Sequence, residues 1–243
     1  MKRVCFFVFY LKKFFVNFVI FVVLLSVFIA SAFCAKTVAV SKMINGVYYC
    51  GDEKSSKVSL MINVYWGTEY LNQMLQTLRE NDVKATFFVG GCWCVKESEM
   101  LKKIFDDGNE IANHGYYHRD HDKLSAEKNL EEISNTHNIV KRLLGVEMNL
   151  FAPPSGAYNK KTVEAANSLG YKVIMWTQGK DTIDWRDKDS DLIYKRATQN
   201  CKGGDFVLMH PTRATANALD KIIKKLKSEN FKLCTVSQNL KTV

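Results

Sequence analysis

The chain is predicted to fold as an α/β domain, an incomplete (β/α) barrel of about seven parallel strands over residues 57–243. Three observations lead there. Short apolar runs of strand length alternate with segments whose apolar residues recur at helical spacing, and such alternation demands parallel pairing with the helices outside. Glycines stand where several helical segments must stop, at Gly108, Gly145 and Gly170. With 243 residues, 47% hydrophobic and 24% charged, the chain excludes a disordered polymer and suffices for one full core.

Taken in order, Val58-Ser59-Leu60-Met61-Ile62 reads as the first strand. The helix from Glu69 to Glu80 follows, with Leu71, Met74, Leu75 and Leu78 on one face. Ala85 to Val89 is the next strand, and Cys92 and Cys94 alternate like residues at a strand end. The segment Glu97 to Asp107 puts Leu101, Ile104 and Phe105 inward, and Ile111-Ala112 is a short strand. Ser125 caps a long helix with Leu130, Ile133, Val140 and Leu144 inward, while His137 on it reads as an ordinary partly buried histidine. Leu150-Phe151 leads to a helix from Asn159 to Gly170, Lys172 to Trp176 to one with Ile193 and Ala197, and Phe206 to Met209 to one with Leu219, Ile222, Ile223 and Leu226. Phe231 to Val236 closes the domain.

The first 35 residues differ from the rest. Lys2, Arg3, Lys12 and Lys13 precede an apolar run from Phe14 to Ala35, long enough to cross a bilayer, which needs about 20 residues. Basic residues on that side put the N-terminus in the cytoplasm and the remaining chain outside. The run exceeds the core of a secretory signal, so residues 1–35 are expected to be an uncleaved signal-anchor, giving a membrane-anchored extracytoplasmic domain. A signal peptide cut after Ala30-Ser31-Ala32, giving a secreted protein, is the alternative. Residues 36–56 read as a polar spacer with a short strand at Val47-Tyr48-Tyr49-Cys50.

Net charge is +9, of which the anchor flank supplies +4, leaving about +5 on the exported part. That suits anionic wall polymer or phospholipid, and no nucleic-acid module is present. Cys50, Cys92, Cys94, Cys201 and Cys234 do not form a disulfide framework pattern.

The polar residues at strand ends carry the functional signal, because ligands of parallel α/β folds sit at the carboxyl ends of strands. Asn63, His114, His118, Pro153-Pro154, Asp181, Asp184 and His210 all fall there. His114 and His118 lie four apart, so on one helical turn two imidazoles would reach one divalent metal, and His121 would join them if residues 114–121 were helical.

These residues resemble the motifs of the polysaccharide deacetylase family, carbohydrate esterase family four or NodB homology domain, most closely its sporulation-associated branch. The first motif appears as Asn63-Val64-Tyr65-Trp66-Gly67-Thr68-Glu69-Tyr70 and the histidine motif as Asn113-His114 with His118. Ala152-Pro153-Pro154-Ser155-Gly156, Asp184-Trp185 near Trp176, and Leu208-Met209-His210 complete the set. The resemblance implies hydrolysis of N-acetyl groups on N-acetylglucosamine-containing wall glycan, peptidoglycan or chitin-like. It implies a divalent metal of the zinc or cobalt class on His114 and His118 if the chain is active, and none if it is not. It further implies a base at the position of Asn63, His210 as the acid toward the leaving amine with Asp184 beside it, and a cleft formed by Trp66, Pro153, Pro154, Ser155, Trp176, Asp181, Trp185 and Leu208.

Three departures bear on that chemistry. Asn63 stands where the family has its base Asp and cannot take a proton; Val64 stands at a ligand position and cannot ligate; Ala152 replaces the motif arginine. Losing a positioned base costs roughly 10² to 10⁴ in rate. Lys180, in an insertion after Trp176, is a candidate to replace the lost arginine. Three readings follow: a deacetylase with impaired chemistry, a catalytically dead glycan-binding protein with an aromatic rim of Trp66, Trp93, Trp176 and Trp185, or a membrane-anchored structural factor in sporulation.

Overall fold

The computed structural model describes residues 14–27 and 41–240. Its contacts divide the chain into two units, Met1–Ala39 and Val40–Val243. In the first unit residues 14–27 are helical, and among the described residues no helix is long and apolar enough to cross a membrane. The rest of the expected anchor lies outside the described residues.

The second unit is a curled, mostly parallel sheet clothed by helices. Its strands are β1 (Ser41–Ile44), β2 (Val47–Asp52), β3 (Lys57–Val64), β4 (Thr86–Val89), β5 (Glu110–Asn113), β6 (Leu150–Phe151), β7 (Lys172–Ile174), β8 (Phe206–Met209) and β9 (Lys232–Leu233). The helices are α1 (Thr68–Glu80), α2 (Gly91–Lys96), α3 (Ser98–Asp106), α4 (Ala126–Leu144), α5 (Lys160–Ser168), α6 (Ser190–Thr198), α7 (Arg213–Ser228) and α8 (Val236–Leu240). Strand order is β1-β2-β7-β6-β5-β4-β3-β8, with β9 beside β3; among the described strands β1 and β2 form the antiparallel pair, and Cys50 of β2 makes an isolated antiparallel bridge to Asp205. This is the half-barrel expected from the alternation of strands and helices.

Side chains alternate across the strands, so each strand serves two cores. Leu60, Ile62 and Val64 of β3 join Phe87, Val89, Val207 and Met209 in the layer that packs on the helices. Met61 joins Phe88, Ala112, Leu150, Ala152, Ile174, Phe206 and Leu208 inside the curl. Continuing that inner period past Met61, Ala112 and Leu208 delivers Asn63, His114 and His210 to one rim. The helix stops are made as the sequence suggests: Gly108, Gly145 and Gly170 have φ of 77°, 72° and 78°, a left-handed conformation open to glycine at little cost. Ser125 caps α4 by accepting the amide of Lys128 at 3.2 Å.

Four expectations are corrected. The 36–56 spacer contains a hairpin built into the sheet, β2 pairing with β7 through Val47–Val173 and Tyr48–Ile174, because Val47 is fully buried in the core. Cys92 and Cys94 sit in α2, not at a strand end, since Gly90 and Gly91 turn the chain into a helix. Phe105 is 37% exposed, where an inward position was expected. Phe231 to Val236 gives only the short β9 before α8 begins at Val236.

Candidate active site

Asn63 emerges from the inner face of β3 with 5% exposure, and its side-chain oxygen has no hydrogen-bond partner among the described residues. A buried amide oxygen left so costs free energy unless a ligand or water meets it. Val64, one residue on, faces the helix layer and is fully buried.

His114 follows β5 and is 1% exposed. Its Nδ1 lies 2.8 Å from the carbonyl oxygen of Ala152, which can only accept, so Nδ1 carries the proton and Nε2 offers its lone pair. Burial, then the neighbouring His118, holds its pKa well below the ordinary histidine value. His118 meets it edge-on, ring centroids 5.1 Å apart, and stacks on Tyr65 at 4.7 Å; its pKa too is lowered by burial.

The two histidines do not share a helical turn. Gly115 and His118 both have positive φ, 72° and 55°, and the chain between them is a tight loop. Glu132 on α4 holds that loop by accepting the amides of Tyr116 and Tyr117 at 2.8 and 2.7 Å with one carboxylate oxygen. His121 therefore never joins them as a third ligand. It begins a separate 3-10 turn, His121–Lys123, is fully buried, and bonds Asn129 through Nδ1 at 2.6 Å. The apolar spacing of the helix does not mark Glu132 and Asn129, yet both occupy its buried face beside Ile133.

Across the rim, Asp184 accepts the Nδ1–H of His210 at 2.7 Å and its backbone amide at 2.6 Å. Trp66 stacks on the His210 ring, centroids 5.9 Å apart and planes 8° from parallel. Gly67 allows it: a Cβ there would lie 2.1 Å from the carbonyl oxygen of Pro211, so the two loops touch backbone to backbone.

The cavity between these groups holds about 360 Å³ and is lined by Asn63, Tyr65, Trp66, His114, His118, Ser155, Gly156, Trp176, Asp181, Trp185, Leu208 and His210. Tyr65 and Gly156 enter it unforeseen. Pro153, Pro154 and Asp184 are buried and do not line it, and Trp93 is buried with its indole N–H on the Thr68 hydroxyl at 2.9 Å. Lys180 does not take the place of the lost arginine: it is 3% exposed and donates to the carbonyl oxygen of Gln199 at 2.6 Å, 3.9 Å from Asp205. Ala152 too is buried, in the inner core, so an arginine there would have to grow out of packed surroundings. The lining carries one carboxylate, Asp181, and no cation; burial raises the Asp181 pKa.

The donors present fit a divalent ion in part. His114 Nε2 and the His118 ring supply two nitrogens, and the unpartnered Asn63 oxygen is a neutral acceptor in the same cavity. Among the described residues no group of three or more His, Cys, Asp or Glu could hold a metal. An ion would thus be bound by fewer imidazole, thiolate or carboxylate ligands than a three-ligand hydrolytic site provides.

The family profile for polysaccharide deacetylase matches residues 51–174. The chain belongs to the polysaccharide deacetylase family. It is 37% identical over 190 residues to the uncharacterized protein YlxY of Bacillus subtilis, covering 78% of this chain and 59% of that protein, so it spans less than two thirds of this relative. It is 31% identical over 176 residues to a peptidoglycan-N-acetylglucosamine deacetylase of Bacillus cereus, covering 71% of this chain and 82% of that one. Among solved structures, a CE4 family pseudoenzyme from Bacillus anthracis superposes with a TM-score of 0.79 at 34% identity, covering 82% of this chain and 70% of that one. A mutant of that pseudoenzyme with restored enzymatic activity superposes equally well, at 33% identity and 73% coverage of its chain.

Proposed function

We propose that the domain is a wall-glycan-binding member of the deacetylase family whose hydrolysis of N-acetyl groups is impaired to near background. The observation that carries this reading is Asn63, a neutral amide with a bare oxygen at the head of a cavity otherwise equipped with two imidazoles, a carboxylate-held histidine and aromatic walls.

A divalent ion on His114 and His118, when bound, would polarise the acetamide carbonyl. Asn63 can align a water through its oxygen but cannot remove its proton, and no lining cation replaces the motif arginine. His210, its Nδ1–H given to Asp184, turns Nε2 to the cavity, where it can receive and pass on a proton. Asp181 is the remaining carboxylate, its acidity already weakened by burial. Trp66, Trp176 and Trp185 offer faces for sugar rings, and Ser155 and Asp181 offer hydroxyl partners. The peptidoglycan named for the Bacillus cereus relative makes N-acetylglucosamine-containing glycan the first ligand to test. The basic flank and apolar run of residues 1–35 support tethering to the membrane with the domain outside.

Calorimetric titration of the full chain with β-1,4-linked N-acetylglucosamine oligomers, with acetate assayed in the same samples, tests the reading. Binding with acetate near background is expected. Absence of binding would overturn the glycan assignment, and rapid metal-dependent acetate release would overturn the impairment.

A further inference from the structure

The amino ends of the parallel strands carry a cavity of their own. It holds about 560 Å³ and lies where Lys57 opens β3, Lys232 opens β9 and Asp82-Val83 lead into β4. Asn63, near the carboxyl end of β3, is about 20 Å away along the strand. This pole is therefore the opposite end of the sheet from the candidate active site.

Its walls differ in kind from those of the rim. Lys57, Lys227 and Lys232 line it against one carboxylate, Asp82, whereas the lining of the rim cavity has neither lysine nor arginine. Lys57 Nζ donates to the carbonyl oxygen of Gln238 at 3.0 Å and Lys227 Nζ to that of Asn81, so neutral acceptors position both ammonium groups. Lys232 is exposed. Val83, Phe231 and Leu233 supply apolar surface among them, Val83 only 2% exposed. Lysines set around apolar surface fit an anion that carries hydrocarbon, because a purely polar polyanion would use the ammonium groups and leave the apolar surface wet.

The chain also enters the domain at this end. Ser41 of β1 pairs with Asp52 of β2. A Cβ on Gly204 would stand 3.0 Å from the Asp52 carbonyl carbon, and the Gly204 amide donates to the carbonyl oxygen of Lys57 at 2.7 Å. The apolar run that ends at Ala35 thus connects, a few residues later, to the lysine-bearing pole and not to the rim.

We propose that this pole docks on an anionic phospholipid surface, a phosphate headgroup lying among Lys57, Lys227 and Lys232 and its hydrocarbon along Phe231 and Leu233. The proposal rests on the tethering of residues 1–35 and adds an orientation to it. With the pole on the membrane, Asn63, His114 and His210 face outward, toward wall glycan.

Hydrogen exchange of the full chain tests this, in vesicles of phosphatidylcholine alone or mixed with phosphatidylglycerol, for the unaltered protein and for Lys227→Gln combined with Lys232→Glu. Both lysines are exposed, so the changes leave the core intact. In the mixed vesicles, amides of residues 79–85 and 227–234 should exchange about threefold or more slower than in the neutral ones. That protection should fade with added salt and be lost in the variant. Equal exchange in the two vesicles, protection that ignores salt, or a variant as protected as the unaltered chain would overturn the docking. So would slowing confined to the rim loops, or equal slowing by soluble poly(glycerol phosphate) in neutral vesicles, which would assign the lysines to an anionic polymer. Flotation with the mixed vesicles alone, with the pole protected, would uphold the docking and overturn the tether. Flotation with neither vesicle would overturn both.

Discussion

Asp184 holds His210 at two points, accepting its ring Nδ1–H at 2.7 Å with one oxygen and its backbone N–H at 2.6 Å with the other. The Thr215 hydroxyl also donates to that second oxygen, and the carboxylate side chain has no exposure. Three donors thus converge on the carboxylate, two on one oxygen and the ring Nδ1–H on the other, an arrangement that fixes the proton of His210 on Nδ1. Asp184→Asn keeps one oxygen for the His210 amide and the Thr215 hydroxyl but turns an N–H toward Nδ1, forcing the ring proton onto Nε2. Replacing charge-assisted bonds by neutral ones in this way should cost about 1–3 kcal/mol, read as a thermal midpoint lowered by several degrees. An unchanged midpoint would contradict the arrangement.

Glu132 gives the histidine loop its shape by accepting two consecutive amides with one oxygen. Glu132→Gln keeps an oxygen for both and should cost little. Glu132→Ala should cost about 2 kcal/mol or more by orphaning them. It should also weaken metal binding, because His118 is presented from the far end of that loop. Equal stability and metal affinity of the two variants would refute this role.

The half-barrel was legible because its signals are local: apolar strand runs, helical spacing, and glycines at Gly108, Gly145 and Gly170 that the chain uses as left-handed stops. The rim was legible for the same reason, each polar residue following an apolar strand. What stayed hidden depends on side-chain direction or on distant partners. Lys180 is adjacent to the site in sequence yet turns to Gln199 and Asp205. His121 shares the spacing of a ligand but is claimed by Asn129. The hairpin at residues 41–52 reads as polar spacer because its strands are short and lie toward the sheet edge, where among its described side chains Val47 and Cys50 are the buried hydrophobics.

Acid should destabilise the domain through its buried imidazoles. His114 and His121 have folded-state pKa values lowered from 6.5, chiefly by burial. Below 6.5 the unfolded chain takes up protons that the folded chain refuses, so this contribution to stability is complete above that pH and is lost progressively as pH falls beneath it. Denaturant unfolding in metal-free buffer should show stability falling from pH 7 to pH 5. His121→Gln should make the fall shallower, and an unaltered slope in that variant would show that His121 is not among its sources.

Asn63 decides whether the cavity can activate a water. Asn63→Asp changes one atom, keeps the shape of a side chain that is 5% exposed, and returns a carboxylate whose burial favours the raised pKa that suits a general base. Ala152→Arg is the less direct restoration, because Ala152 lies in the inner core. Acetate release from N-acetylglucosamine oligomers with added divalent metal should be near background for the unaltered chain. It should rise by about 10² or more in Asn63→Asp and vanish again when His114→Ala is added. Release by the unaltered chain at the rate of Asn63→Asp, or no rise in a folded, metal-loaded Asn63→Asp protein, would contradict the claim that a single missing base accounts for the lost chemistry.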